Sequence, residues 1–206
     1  MKIGCVVMAA GASARFGREN KLLTPFGGKP LYRCAFAAAA REAFYAVSVV
    51  SHYEEILSAA EAEGFIPVYN PAPEDGISLT VSLGLRSLPD ADALMFLVAD
   101  QPLLSQTTVS ELVSFFLEDP ASIAAPACGG KRGNPVIFPK AFFPELLALR
   151  GDRGGSGVIK AHPDALRLYP LADERELFDV DTVEALFDLA KSTENGGTHY
   201  EIRTHL

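Results

Sequence analysis

Hydrophobic and polar positions along the chain fall into alternating blocks that are typical of strands and helices in turn. Residues 3–9 are continuously apolar and rich in β-branched side chains, which predicts a central strand covered on both faces. Residues 30–44 predict an alanine-rich helix with Pro30 in its first turn, and residues 46–51 predict a second buried strand. This first part of the chain therefore predicts a βαβ unit.

The alternation continues through the rest of the chain. Further strands are predicted at residues 65–69, 93–99, 122–126, 134–138 and 166–170, and we expect 134–138 to pair antiparallel. Further helices are predicted at residues 53–63, 78–88, 105–117, 140–149 and 182–191. This order predicts an α/β fold with three layers, in which a doubly wound, mostly parallel sheet lies between helices. In such a sheet, ligands bind beyond the carboxyl ends of the strands.

Length and charge narrow the class of protein. The 206 residues are 49% hydrophobic, which is enough to bury the core of one domain. We expect this domain at residues 1–191, followed by a polar tail at 192–206. A net charge of −8 argues against nucleic acid or an anionic membrane as a partner, because both are bound through basic surfaces. No apolar stretch is long enough to span a bilayer.

Cysteine and histidine positions exclude several kinds of site. Cys5, Cys34 and Cys128 are odd in number and far apart, so we expect neither a disulfide framework nor a zinc site, and a cytoplasmic location fits. The four histidines show no zinc-ligand spacing, and no serine lies in a nucleophile turn beside a plausible triad. Zinc-dependent and serine-triad hydrolysis are therefore not expected.

The loop after the first strand carries a pattern suited to phosphate. Small residues follow the strand, and their exposed N–H groups can cradle phosphate oxygens: Ala9, Ala10, Gly11, Ala12 and Ser13. Arg15 adds a planar, bidentate donor and Lys21 adds a point charge. The alternative is a tight strand-to-helix turn with two solvated cations. On composition alone the two interpretations stay open.

An acidic residue follows the strand predicted at 93–99. Asp100 stands at the strand end before Pro102, where a carboxylate can bind Mg²⁺ together with substrate phosphates. Asp179 and Asp181 lie on one face of an extended segment, and either could supply a second carboxylate. The alternative for Asp181 is that it caps the helix beginning after Thr182.

Two further regions offer polar groups for the base and for an acceptor. Residues 70–82 combine a flexible turn with hydroxyls that can bind a base and ribose, namely Asn70, Gly76, Ser78, Thr80 and Ser82; the alternative is a surface loop with Ser78 as a helix cap. Two glycine-containing loops can hold an anionic acceptor through Asn134, Pro135, Asp152, Arg153 and Gly154. The alternative for Asp152 and Arg153 is a solvated pair in a turn.

The stretch Ala-Ala-Gly-x-Ser-x-Arg-Phe-Gly at residues 9–17, followed by Lys21 and by Gly-Lys-Pro-Leu at 28–31, resembles the signature of the MobA-like nucleotidyltransferases. It is most similar to the molybdenum cofactor cytidylyltransferases, since the related guanylyltransferases usually carry Ala-Gly-Gly at the first three positions. The resemblance implies a Rossmann-like nucleotidyltransferase fold, CTP as the donor and Mg²⁺ as the cofactor. It also implies molybdopterin or the molybdenum cofactor as the acceptor, and a molybdenum hydroxylase apoenzyme as a further partner.

The same resemblance implies roles for individual residues. Arg15 and the backbone of the first loop would hold the leaving phosphates, Lys21 would lie by the α-phosphate, and Asp100 with Asp181 would hold Mg²⁺. Residues 70–82 would contact the base, and the two later loops would form the acceptor side. Family members usually carry histidine where this chain has Asn134. The alternatives are a sugar phosphate or alditol phosphate as acceptor, and a protein that handles the molybdenum cofactor without turnover.

Overall fold

The structure, a computed structural model that describes residues 1–11, 20–39 and 41–194, is built on an eight-stranded sheet. Its strands are β1 (Ile3–Met8), β4 (Ala46–Ser51), β5 (Ile66–Tyr69), β6 (Ala93–Val98), β7 (Ile123–Cys128), β8 (Lys131–Arg132), β9 (Val136–Pro139) and β10 (Leu166–Pro170). A separate small hairpin is formed by β2 (Pro25–Phe26) and β3 (Lys29–Pro30).

The strand order confirms a doubly wound, mostly parallel sheet. The strands lie side by side as β10-β7-β9-β6-β1-β4-β5, and β8 pairs with β7. β1 lies between β4 and β6 and pairs parallel with both. β9 pairs antiparallel with β6 and with β7, as expected for residues 134–138. The apolar segment that begins the chain is therefore a central strand.

Helices cover both faces of the sheet. They are α1 (Tyr32–Ala38), α2 (Glu54–Ala62), α3 (Ile77–Ser87), α4 (Gln106–Glu118), α5 (Phe143–Leu147), α6 (Ser156–Ala161) and α7 (Val183–Glu194). Alternate residues of β1 enter two different cores: Cys5 and Val7 pack with buried side chains of α1, α2, α4 and α7, whereas Val6 packs with those of α3 and α6. This alternation confirms the predicted three layers.

Two helices begin at a residue whose side-chain hydroxyl caps the first turn. The Ser105 side chain accepts a hydrogen bond from the backbone N–H of Thr108 at 3.0 Å, and α4 begins at the next residue, Gln106. In the same way the Thr182 hydroxyl accepts from the N–H of Ala185 at 3.1 Å at the start of α7. These bonds satisfy backbone donors that a helix leaves unpaired in its first turn.

Three predictions of secondary structure were wrong in detail. Pro30 does not begin a helix, because Gly27 and Gly28 adopt positive φ angles of 57° and 79° and turn the chain into the hairpin that contains it. The helix that follows is also short, ending at Ala38. No helix was predicted after the second acceptor loop, which contains residues 152–154, but α6 begins there at Ser156. Within the described residues, no helix has the length and apolar character needed to cross a bilayer.

Gly84 sits where α3 packs directly on β1, and a Gly84→Ala variant tests that contact. An added Cβ would overlap the side chain of Val6, which is fully buried. We expect the free energy of unfolding to fall by about 1–3 kcal/mol, because the packed core has to shift. Urea denaturation measures the change.

Gly157→Ala is the matched control, since it is also a helical glycine but has no atom within 4 Å of an added Cβ. Alanine is the better helix former, so this variant should be as stable as the wild type or slightly more stable. Equal stability of the two variants would contradict the proposed close packing of α3 on β1.

Candidate functional site

Hydrogen bonds align the carboxyl ends of the three central strands. The backbone N–H of Ala9 donates to Val50 O at 2.9 Å, and the N–H of Ala99 donates to Met8 O at 3.2 Å. The buried hydroxyl of Ser51 donates to Ala9 O at 2.8 Å. Residues beyond β1, β4 and β6 therefore start from one fixed edge, which is where the sequence predicts a ligand site.

A cavity of about 280 Å³ opens at this edge, and we call it the first cavity. It lies between the loop after β1, the end of β6 and the start of α3. Six residues singled out from the sequence line it: Ala10, Gly11, Lys21, Gly76, Thr80 and Asp100. Asp152, assigned from sequence to the acceptor side, also lines it. The described parts of the predicted nucleotide loop, namely Ala10, Gly11 and Lys21, thus face the same space as the predicted acidic residue.

Lys21 and Asp100 form an ion pair inside the first cavity. Lys21 Nζ lies 2.6 Å from Asp100 Oδ2, 3.1 Å from Val180 O and 3.7 Å from Asp181 Oδ1. The Lys21 side chain is 12% exposed and that of Asp100 is 23% exposed. Because both groups are partly withdrawn from water, their attraction is less screened than that of a surface pair. A cation and a carboxylate that the sequence assigned to different roles therefore belong to one cluster.

Local structure brings Lys21 into this cluster. It begins a short 3₁₀ turn, Lys21–Leu23, in which Asn20 Oδ1 accepts from the N–H of Leu22 at 2.9 Å. Leu22 is 2% exposed and belongs to the core. The buried leucine and the capped turn hold the backbone of Lys21 at the edge of the sheet. The position of this backbone allows the ammonium group to contact Asp100.

Three carboxylates gather around this ammonium. The pKa of Asp179 is raised to about 6, first because its carboxylate is partly desolvated and then because Asp100 lies near it; Asp181 adds to the rise, whereas a hydrogen bond from Gln101 and the charge of Lys21 oppose it. Gln101 is 2% exposed, and its Nε2 also donates to Leu177 O at 3.3 Å. Among the described residues, the site therefore carries an excess of negative charge, which a bound cation would offset.

The donor set suits a hard divalent cation that is shared with a substrate. Among the described residues, no group of three or more His, Cys, Asp or Glu side chains is arranged to hold a metal ion by itself. Mg²⁺ does not need such a group, because it is commonly held by one or two carboxylates, waters and substrate phosphates. Thr182, rather than Asp181, caps α7, which leaves the Asp181 carboxylate, 61% exposed, beside Lys21.

The start of α3 forms the opposite wall of the first cavity. Gly76 has φ +87° and ψ −178°. This backbone conformation is strained for any residue other than glycine. An added Cβ would lie 2.5 Å from the carbonyl carbon of Gly151 and 2.6 Å from Asp152 Oδ1. Ser78 does not cap the helix through its side chain; its backbone N–H donates to Gly151 O at 3.1 Å. This contact fixes the turn at 151–152 against α3.

Two other residues of the 70–82 segment lie outside the lining of the first cavity. Asn70 is fully buried, its Nδ2 donates to Thr80 Oγ1 at 3.2 Å, and its Oδ1 accepts from the N–H of Ala72 at 3.1 Å. Ser82 accepts a hydrogen bond from Arg86 Nε at 3.4 Å on a partly exposed part of α3. Neither Asn70 nor Ser82 lines either cavity described here.

A second cavity, of about 140 Å³, adjoins the first and shares Met8, Ile77 and Val98 with it. Asn134 and Gly154, both assigned to the acceptor from sequence, line this second cavity. Pro135 is buried behind it and follows a cis peptide bond, and Arg153 is exposed and lines neither cavity.

Sequence reasoning missed Arg132, which lines the second cavity and lies 3.2 Å from Ser156 Oγ through its Nη2. The sequence did contain a signal for Arg132, because this cation stands two residues before Asn134, which was assigned to the acceptor side. The predicted residues Ala12, Ser13 and Arg15 lie outside the described residues, and Ala9 is fully buried.

Comparison with known proteins gives relatives of nearly the same length. The chain is 30% identical over 195 residues to purine catabolism protein PucB of Bacillus subtilis (strain 168), covering 87% of this chain and 91% of that protein. It is 27% identical over 194 residues to nicotine blue oxidoreductase of Paenarthrobacter nicotinovorans, covering 89% of this chain and 94% of that protein.

Solved structures share the fold, and a family match covers most of the chain. A crystal structure of Rv0371C from Mycobacterium tuberculosis H37Rv in complex with manganese superposes with a TM-score of 0.74 at 21% identity, covering 93% of this chain and 100% of that one. Residues 5–166 match the family described as the MobA-like NTP transferase domain. With that match over most of its length, this chain belongs to the MobA-like NTP transferases.

Proposed function

We propose that this protein transfers CMP from CTP to molybdopterin or the molybdenum cofactor and releases pyrophosphate. The observation that carries the proposal is the Lys21–Asp100 pair at the carboxyl edge of the sheet, which opens onto the first cavity beside the loop after β1. The second cavity adjoins the first, and this supports an acceptor position beside the nucleotide. Family membership supports nucleotidyl transfer, and the Ala-Ala-Gly form of the loop supports cytidine.

In the proposed reaction, a phosphate oxygen of the acceptor attacks the α-phosphorus of CTP in line with the bond to the β-phosphate. The new oxygen–phosphorus bond forms as that bond breaks, and the electron pair leaves with pyrophosphate, so no covalent enzyme intermediate is needed. The backbone amides of Ala10 and Gly11, together with Ala12, Ser13 and Arg15, hold the leaving phosphates. Lys21 neutralises charge that develops at the α-phosphate. The protein acts mainly by positioning and by electrostatic stabilisation.

Asp100 and Asp181 are the proposed Mg²⁺ ligands, with Asp179 as the alternative second carboxylate. A divalent cation supplies Lewis-acid stabilisation of phosphoryl oxygens and orients the reacting groups. The manganese complex of the structural neighbour supports the choice of a divalent metal. If Asp100 and Asp181 held the cation, Lys21 would contact a phosphate oxygen of the nucleotide.

The presence of Lys21 and Asp100 supports turnover over a role limited to carrying a cofactor, because a carrier needs neither group. A molybdenum hydroxylase apoenzyme is the proposed recipient of the product. We place the reaction in the cytoplasm, and the free thiols of Cys5, Cys34 and Cys128 support a reducing setting.

Asp100→Asn tests the proposed metal ligand. The amide keeps the shape of the side chain but removes its negative charge, so we expect single-turnover CMP transfer to fall by at least about a hundredfold. Circular dichroism and thermal unfolding should show an intact fold. Asp90→Asn makes the same chemical change at an exposed position, 3.9 Å from Lys2, and should react at the wild-type rate. A folded Asp100→Asn variant with near wild-type turnover in Mg²⁺ would contradict the assignment.

Competition between CTP and GTP tests the proposed donor. Purified protein is incubated with Mg²⁺, molybdopterin or its molybdenum form and each nucleoside triphosphate, and pyrophosphate release gives kcat/KM. Ala10 lines the first cavity and is 5% exposed, so its methyl group should crowd a purine and favour CTP by roughly ten- to two-hundredfold. A CTP to GTP ratio at or below one would reject cytidylyl transfer.

Ala10→Gly should narrow the CTP preference by removing this methyl group. Ala99→Gly is the matched control, because Ala99 also lines the first cavity but lies at the end of β6, beside Asp100. It should leave the ratio of the two kcat/KM values unchanged. If both variants change the ratio equally, the preference does not arise from Ala10.

A further inference from the structure

Residues 174–181, which we call the carboxylate segment, carry two of the three carboxylates of the site. Contacts with the turn after β6 and with the start of α4 hold this segment in place. Glu176 Oε2 accepts a hydrogen bond from the N–H of Ser105 at 2.8 Å, and the N–H of Val180 donates to Asp100 O at 2.9 Å. The residues directly before α7 belong to no helix or strand. The position of the two carboxylates therefore depends on such contacts.

Gln101 holds the middle of the carboxylate segment. It is 2% exposed, its Nε2 donates to Leu177 O at 3.3 Å, and it also donates a hydrogen bond to the carboxylate of Asp179. Because both partners are acceptors, the amide is used through its N–H donors. Leu177 is confined from another side as well, since an added Cβ at Gly133 would lie 2.6 Å from Leu177 Cδ2.

The oxygen of this amide argues against a role in packing alone. Gln101 Oε1 is buried and has no hydrogen-bond partner among the described residues. A buried acceptor without a partner costs free energy, and an apolar side chain of similar size would avoid that cost. The contacts that the amide nitrogen makes with the carboxylate segment have to offset it. These contacts are therefore the reason for a glutamine at this position.

Electrostatic repulsion explains why the carboxylate segment has to be held. Asp100, Asp179 and Asp181 are like charges, and their repulsion would move the segment away from the end of β6. A lysine or arginine in place of Gln101 could also hold the segment, but its positive charge would compete with a metal ion for the same carboxylates. A neutral amide holds the segment and leaves the negative charge available to a cation.

We propose that Gln101 is a positioning residue, whose N–H donors hold the carboxylate segment against the turn after β6 so that its carboxylates stay within reach of a cation bound to Asp100. The inference rests on the proposed function, since it takes Asp100 and Asp181 as the metal ligands. It goes further by giving a function to a residue that lines neither cavity. Gln101 acts through the segment and touches no reacting group.

Gln101→Met tests the hold on the segment, with Gln106→Met as the matched control. Methionine keeps the length of the side chain and removes its donors, whereas Gln106 is exposed and donates to Glu42 Oε2 at 3.4 Å on the surface. Hydrogen exchange of the full chain is followed by mass spectrometry without metal. The amides of residues 177–181 should exchange about tenfold faster in Gln101→Met, and those of Gln106→Met should match the wild type.

Gln101→Asn gives a second test that does not depend on methionine being tolerated. Asparagine keeps an amide but shortens its reach, so the same amides should exchange faster than in the wild type. Circular dichroism and thermal unfolding show whether each variant is folded.

Mn²⁺ affinity tests the consequence for the metal site. Mn²⁺ alone is titrated into each protein, and electron paramagnetic resonance separates the bound ion from the hydrated ion. Gln101→Met should bind Mn²⁺ roughly tenfold to a hundredfold more weakly, as is typical when a residue that orients a metal ligand is lost. Gln106→Met should match the wild type.

Excess Mg²⁺ distinguishes a positioning role from a structural one. It should restore most of the CMP transfer in Gln101→Met, because the ligands remain and only their placement is weakened. It should not restore transfer in Asp100→Asn, which has lost a ligand. A residue needed for stability alone would show no dependence of its defect on the Mg²⁺ concentration.

Unchanged hydrogen exchange or unchanged Mn²⁺ affinity in folded Gln101→Met would overturn the inference. So would equal changes in Gln106→Met, a defect in transfer that excess Mg²⁺ does not reduce, or a wild type that binds no Mn²⁺. Failure of the proposed function gives a different result, because the wild type then transfers no nucleotide to any acceptor. Hydrogen exchange and the Mn²⁺ titration still decide the role of Gln101 in that case, since neither requires turnover.

Discussion

The ion pair between Lys21 and Asp100 joins segments that are far apart in sequence, and the geometry of the site depends on it. Lys21 Nζ bonds to Asp100 and to the carbonyl of Val180, while the N–H of Val180 donates to the carbonyl of Asp100 at 2.9 Å. The three residues therefore close a ring of contacts across the end of β6. Val180 is fully buried. Since neighbours in an extended segment face the other way, burial of this side chain turns Asp179 and Asp181 outward, toward the site.

The close approach of Gly76 to Gly151 organises the other side of the site. Because an added side chain at Gly76 would overlap Gly151, the start of α3 and the turn before α6 lie in direct backbone contact. The hydrogen bond from Ser78 N–H to Gly151 O keeps them together. The consequence is functional: Gly76 and Asp152 line the first cavity, the residues just after the turn line the second, and Ile77 belongs to both. One backbone contact thus sets where two ligands would meet.

Sequence periodicity predicted the central strands well because they are buried on both faces. The limits of β4 match the prediction at both ends, since its run of apolar and β-branched residues stops where the chain leaves the sheet. β10 also matches at both ends, although it is an edge strand whose side chains are only partly buried. Glycine-rich segments were predicted poorly. α6 begins directly after Gly154 and Gly155, and it is stabilised by packing of Val158 and Ile159 in the core rather than by local propensity.

For the site, residue type at a strand end predicted that Lys21 and Asp100 would lie at one edge, because the ends of parallel strands coincide. It could not predict how individual side chains are used. The side-chain amide of Asn70 could hydrogen-bond to a nucleobase, but in the structure it is hydrogen-bonded to Thr80 and to the backbone of Ala72. Arg153 and Arg132 are both cations near a predicted loop, and only the pairing of β8 with β7 places Arg132 at a cavity. Such distinctions depend on tertiary register, which a local pattern does not contain.

The same tertiary detail separates the two carboxylates between which the sequence could not choose. Asp179 accepts a hydrogen bond from Gln101, so part of its carboxylate is already used by a protein donor. Its pKa is also raised. Asp181 is mostly exposed and 3.7 Å from Lys21 Nζ, and the cap of α7 is supplied by Thr182 instead. A cation that displaces the ammonium from Asp100 would therefore find Asp181 with fewer competing bonds. This argument favours Asp181 as the direct ligand in the proposed mechanism and gives Asp179, through its charge, a supporting electrostatic role.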